Sequence, residues 1–121
     1  MAAHEHTVLL LENDDATRDL YRRELSRQYR VVCSDDIQEA MAIVRSGAVQ
    51  ALVLEPAWCN ESGWQLMELI GHLPYRQRVP IIVVTVLDQR RQGLQLGAAA
   101  YCVKSVLPTT LLDLLKRILE D

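Results

Sequence analysis

The sequence predicts one α/β domain built on a parallel five-stranded sheet with helices on both faces. Three observations predict it. Short apolar runs alternate five times with longer stretches whose apolar residues recur at helical spacing. Those short runs are almost uninterrupted in their apolar character, as strands covered on both faces are. The chain has 121 residues, 50% of them hydrophobic, which is one ordinary domain (residues 1–121) with enough apolar side chains for a core.

Thr7 to Leu11 is the first strand. Ala16 to Gln28 reads as a helix with Leu20 and Leu25 on its inner side, and Asp14 or Asp15 is placed to cap it. Arg30 to Cys33 is the second strand. Ile37 to Arg45 carries Ile37, Ala40, Met41 and Val44 on one helical face, and Gly47 suits its end. Ala51 to Leu54 is the third strand, followed by a loop with Pro56, Asn60, Ser62 and Gly63. Trp64 to Leu73 is helical, with Leu66, Leu69, Ile70 and Leu73 spaced to face inward. Pro80 to Thr85 is the fourth strand, Gln89 to Leu96 a short helix ending at Gly97, and Ala100 to Val103 the fifth strand. Pro108 suits the first turn of a last helix reaching Leu119. Such a (βα)5 pattern predicts right-handed crossovers and the flavodoxin-like strand order 2-1-3-4-5.

Composition narrows the function classes. The net charge of −3 argues against nucleic acid as the main partner. Eleven of the thirteen basic residues are Arg, in small groups that read as solvated faces. Cys33, Cys59 and Cys102 form no CxxC, so zinc and thioredoxin-type redox chemistry lack a signature; Cys33 and Cys102 read as core, and reduced cytoplasmic thiols are expected. The start of the chain, MAAHEH, is neither a signal peptide nor a membrane span, and His4 and His6 read as tail rather than metal ligands. No glycine-rich loop follows the first strand, so a small nucleotide or flavin binder is unsupported.

In an open parallel sheet the functional crevice lies beyond the carboxyl ends of the strands. Polar residues gather there. Glu12, Asn13, Asp14 and Asp15 follow the first strand, Glu55 the third, Thr85 closes the fourth and Lys104 the fifth. Lys104 is one of only two lysines and ends a buried strand.

With those residues in place, the chain resembles the receiver domain of two-component response regulators along almost its whole length. The resemblance is carried by VLLLEND with Arg18, LVLEPAWCNESGW, PIIVVT and LGAAAYCVKS, in that order and spacing. It implies that two acidic residues after the first strand hold Mg²⁺, that an aspartate after the third accepts a phosphoryl group, and that a Ser or Thr and a Lys engage its oxygens. By position the metal pair falls on Glu12 and Asn13, with Glu55 as a third ligand. The acceptor falls on Glu55, the hydroxyl on Thr85 and the lysine on Lys104. Tyr101 matches an aromatic that often moves with the family's switch.

The departures bear on chemistry. Glu55 is one methylene longer than Asp, which moves its oxygens by up to about 1.5 Å; misplacement by about 1 Å can cost roughly 10²-fold. Asn13 offers a neutral carbonyl where Mg²⁺ favours a carboxylate. Ser105 stands where the family has a proline, often in a cis bond, which removes a constraint from that loop. The stretch between Thr85 and Gly97 is about three residues short of the resemblance, trimming roughly a turn from the fourth helix. A metal site, if kept, would be weak, and no other cofactor is implied. The expectation is therefore a non-enzymatic, receiver-like module, indifferent to phosphorylation, that contacts a histidine kinase, an output domain or a second copy of itself, away from membranes. The competing expectation is a working receiver that a histidine kinase phosphorylates with Mg²⁺. Glu55 either reaches Lys104 and Thr85 as a partial stand-in for a phosphoryl group, or only pairs with Lys104 as structure. Leu112 and Leu119 mark either a partner-contacting edge of the last helix or part of a broad buried face. Trp58 and Trp64 either anchor a partner or cover the Glu55 loop.

Overall fold

The computed structural model describes residues 5–120; His4 lies outside them. The chain runs β1 (Thr7–Leu11), α1 (Asp15–Leu25), β2 (Arg30–Cys33), α2 (Ile37–Arg45), β3 (Ala51–Leu54), the single turn α3 (Trp58–Glu61) and α4 (Gly63–Gly71). A 3₁₀ turn at Tyr75–Gln77 then leads to β4 (Ile81–Thr85), α5 (Arg90–Gln95), β5 (Ala100–Val103) and α6 (Pro108–Glu120). Every neighbouring strand pair is parallel and the order is β2-β1-β3-β4-β5. The flavodoxin-like fold expected from the alternation is therefore present.

Side chains of successive strand residues point to opposite faces, and this divides the core in two. Leu9, Leu11, Leu52, Leu54 and Val83 meet Ala40, Met41 and Val44 of α2 and Leu66, Met67 and Ile70 of α4. Val8, Leu10, Val53, Ile82 and Val84 meet Tyr21 and Leu25 of α1 and Leu111 and Leu115 of α6. The central strands β1, β3 and β4 are buried almost throughout, whereas the edge strands β2 and β5 are only half covered.

Two inward residues expected from spacing are corrected. Leu20 is 38% exposed and Leu69 is 40% exposed. In α1 the inner position belongs to Tyr21, whose hydroxyl donates to Val106 O at 3.0 Å while its ring lies in the core. In α4 Met67 takes the inner place beside Leu66 and Ile70. Helix α1 also stops three residues earlier than its charge pattern suggests. The Ser26 amide closes the last turn on Arg22 O at 3.0 Å, and Tyr29 is buried in the following turn.

Both early helices carry side-chain N-caps. Asp14 accepts from Thr17 N at 2.9 Å and Asp36 from Glu39 N at 3.1 Å, so Asp14 rather than Asp15 is the cap of α1. Leu112, Leu114, Ile118 and Leu119 of α6 all pack against the core around Leu111 and Leu115. Leu112 and Leu119, the second apolar edge of that helix, are thus half-buried against the core. At its far end Tyr29 donates to Glu120 Oε2 at 2.8 Å. Burial and then that carboxylate push the Tyr29 phenol up to about 12.

Candidate functional site

Parallel register brings the strand ends to one edge. Leu11 pairs with Leu54, so Glu12 and Glu55 leave adjacent strands at the same level. The Glu55 amide donates to Leu11 O at 2.9 Å, holding the two segments together just beyond the sheet. Thr85 pairs with Val103, and the Lys104 amide donates to Thr85 O at 2.7 Å. The four side chains named from the sequence therefore start from neighbouring backbone.

Three of them meet through charge. Lys104 Nζ lies 2.8 Å from Glu12 Oε1 and 3.2 Å from Glu55 Oε1. The remaining carboxylate oxygens are also engaged. Glu12 Oε2 accepts from Asp14 N at 3.0 Å and Glu55 Oε2 from Ala57 N at 3.1 Å. Glu12 is 4% exposed and Glu55 5%, a depth at which a carboxylate needs a partner. Burial alone would lower the Lys104 pKa, but the hydrogen bonds and charges of Glu12 and then Glu55 outweigh it and raise it. No buried side-chain nitrogen or oxygen lacks a partner among the described residues.

Thr85 is buried at the same edge, but its hydroxyl accepts from Leu87 N at 3.4 Å and has no bond to Glu55 or Lys104 among the described residues. Asn13 is exposed. It lines a cleft of about 670 Å³ beside the triad, together with Arg18, Ser34, Asp35 and Asn60. Among the described residues no group of three or more His, Cys, Asp and Glu side chains is placed to hold a metal ion.

The loop carrying Glu55 is built tightly. Gly63 N donates to Pro56 O at 3.0 Å. A Cβ on Gly63 would lie 2.4 Å from Pro56 Cα, so only glycine allows this closure. Between these two residues Cys59, Asn60 and Glu61 form a left-handed turn with φ of 53°, 55° and 65°. Only Asn among those types favours that region. Trp58 is 2% exposed and its indole donates to Ser34 O at 2.7 Å, tying the loop to the end of β2. Trp58 thus covers the loop, whereas Trp64 is half-buried against the core on the side of Gly93.

Two further positions differ from expectation or extend it. The Lys104–Ser105 peptide bond is cis although no proline follows Lys104. Tyr101 is half-buried. Its hydroxyl donates to Leu87 O at 2.6 Å and accepts from Gln89 N at 2.9 Å. Sequence reasoning missed the backbone donors Asp14 N and Ala57 N, because main-chain groups leave no mark on residue type. It also passed over Gly93, a glycine inside a helix, which is a readable signal of close packing.

The family model for the response regulator receiver domain matches residues 8–116. An uncharacterized 14.6 kDa protein of Leptolyngbya boryana is 26% identical over 114 residues, covering 91% of this chain and 87% of that protein. A probable cyclic di-GMP phosphodiesterase of Vibrio cholerae is 22% identical, and the chain spans only 23% of its length. Among solved structures, chemotaxis response regulator CheY4 of Vibrio cholerae superposes with a TM-score of 0.81 at 22% identity, over 94% of this chain and 98% of that one. The receiver domain of a Pseudomonas aeruginosa sensor histidine kinase, solved with a magnesium ion in its active-site cleft, gives 0.82 at 24% identity over 96% of this chain. The chain belongs to the response regulator receiver domain family, the modules of two-component signalling that work with histidine kinases and output domains.

Proposed function

We propose that this receiver domain signals without being phosphorylated, as a non-enzymatic module that acts by contact with other proteins. One observation carries the reading: the Lys104 ammonium bridges Glu12 and Glu55 at 2.8 and 3.2 Å. In this reading Glu55 occupies the acceptor position, and Lys104, Thr85 and Tyr101 occupy the positions that would respond to a phosphoryl group. A phosphoryl group arriving at Glu55 would meet two carboxylates and one ammonium, a site of net charge −1. Phosphoryl transfer depends on cations that neutralise charge at the oxygens, and here the ammonium that touches Glu55 is already shared between two acids.

The residues aligned with metal ligands fit Mg²⁺ poorly. All four oxygens of Glu12 and Glu55 already accept hydrogen bonds, and Asn13 supplies a neutral carbonyl from the cleft wall. A divalent ion would have to share both carboxylates with an ammonium of like charge, so magnesium binding is weak and the working state needs no cofactor. The partners follow from the family: a histidine kinase, an output domain or a second copy of the chain. The charge of −3 disfavours nucleic acid. Three free cysteines suit a reducing cytoplasm, and among the described residues no helix is long and apolar enough to cross a membrane.

Incubation with Mg²⁺ and a small phosphodonor, followed by intact mass, tests the reading. An unchanged mass is expected. A gain of one phosphoryl group that disappears in Glu55→Ala would establish instead a working receiver with glutamate as acceptor.

A further inference from the structure

A glycine weakens a helix interior, and α5 has only six residues to begin with. Gly93 nevertheless sits in its middle and is buried. A Cβ at this position would lie 2.6 Å from Tyr101 Cδ2, 2.9 Å from Tyr101 Cε2 and 3.8 Å from Trp64 Cη2. The first two distances are closer than non-bonded carbon atoms approach, so any side chain here must move the ring. The Tyr101 ring is thus seated against the bare backbone of α5.

The seated ring also reaches the segment that leaves β4. Its hydroxyl bonds Leu87 O at 2.6 Å and Gln89 N at 2.9 Å, and Leu87 N in turn faces Thr85 Oγ1 at 3.4 Å. One phenol therefore ties β5, α5 and the connection from Thr85 to α5. Along that connection Val86 is 66% exposed and Leu87 56% exposed.

We propose that Gly93 is a positioning residue: by omitting a side chain it creates the seat that fixes Tyr101 inward, and the fixed phenol holds the Thr85–Gln89 segment in one shape with Val86 and Leu87 turned to solvent. This makes Tyr101 a permanent fixture rather than a moving part. The inference deepens the phosphorylation-independent reading and rests on it for its meaning, since a ring placed by packing needs no phosphoryl group to place it.

A four-protein thermal unfolding cycle tests the seat: wild type, Gly93→Ala, Tyr101→Ala and the double variant. With the ring present, Gly93→Ala lowers Tm by several degrees. With the ring removed, the same substitution raises Tm, because alanine is the better helix former. Equal signs in the two backgrounds would overturn the proposal. If Tyr101→Ala does not fold, wild-type NMR decides. Cross-relaxation between the Gly93 α-protons and the Tyr101 ring is expected, and its absence would overturn the seat. Neither readout involves a phosphodonor. Phosphoryl uptake would defeat the phosphorylation-independent reading without changing the sign of the cycle, and a same-sign cycle would defeat the seat without bearing on uptake.

Discussion

Lys104 holds two buried carboxylates apart from one another's charge, so its removal strands both. Breaking a buried ion pair from one side typically costs about 3–5 kcal/mol. Lys104→Ala is expected to lower unfolding free energy by that order in urea melts, and a loss below about 1 kcal/mol would show the triad to be solvated rather than buried. The sign of the pH dependence follows from the raised Lys104 pKa. The folded state holds this proton more tightly than the unfolded state. The stabilisation is complete below about 10.5 and is lost as pH climbs through the higher folded value. Gly63 offers a second test, since the atom its Cβ would meet, Pro56 Cα at 2.4 Å, is backbone and cannot rotate away. Gly63→Ala should destabilise by roughly 1–3 kcal/mol, as overpacked sites do, read as a fall in the urea midpoint. Lys104 and Glu55 were legible in the sequence because a charged residue directly after a buried apolar run has few places to go. Leu20 was misread because it and Tyr21 are adjacent, and helical spacing alone does not say which of two neighbouring apolar residues turns inward.

At the scale of elements, strands were read almost to the residue and helix ends were not. An apolar run stops where the sheet stops, as at Leu54 and Val103, whereas the charged stretch after Leu25 continues unchanged through the end of α1. The left-handed turn Cys59–Glu61 left little trace, since Asn60 alone among its residues suggests positive φ. The junction of α1, β2 and α6 makes a prediction of its own. Tyr29 donates to Glu120 Oε2 at 2.8 Å, and its phenol is pushed up to about 12 by burial and then by that carboxylate. Its folded pKa lies above the ordinary phenol value near 10. This contribution to stability is therefore whole below about pH 10 and declines as pH rises toward about 12. Tyr29→Phe should cost about 0.5–1.5 kcal/mol at neutral pH and flatten the alkaline loss. Urea melts across the alkaline range check both, and an unchanged alkaline slope would count against the Tyr29–Glu120 bond.

For the whole molecule, parallel order β2-β1-β3-β4-β5 is what turns scattered residues into a site. Glu12 and Glu55 are 43 positions apart, and Lys104 is a further 49 away, yet neighbouring β1 and β3, with β5 beyond β4, deliver all three to one edge. That convergence could be read beforehand from the rule that ligand crevices lie at strand carboxyl ends. The pairing itself could not, because residue types do not say whether an ammonium bridges two acids or faces water. On the proposed reading, the Lys104–Glu12–Glu55 triad with Asn13 beside it does not support phosphoryl transfer. Intact mass after incubation with Mg²⁺ and a small phosphodonor, run on the wild type beside Asn13→Asp/Glu55→Asp, tests it most directly. The expected result is no added mass on the wild type and one phosphoryl group on the double variant. Equal uptake by both proteins would contradict the claim.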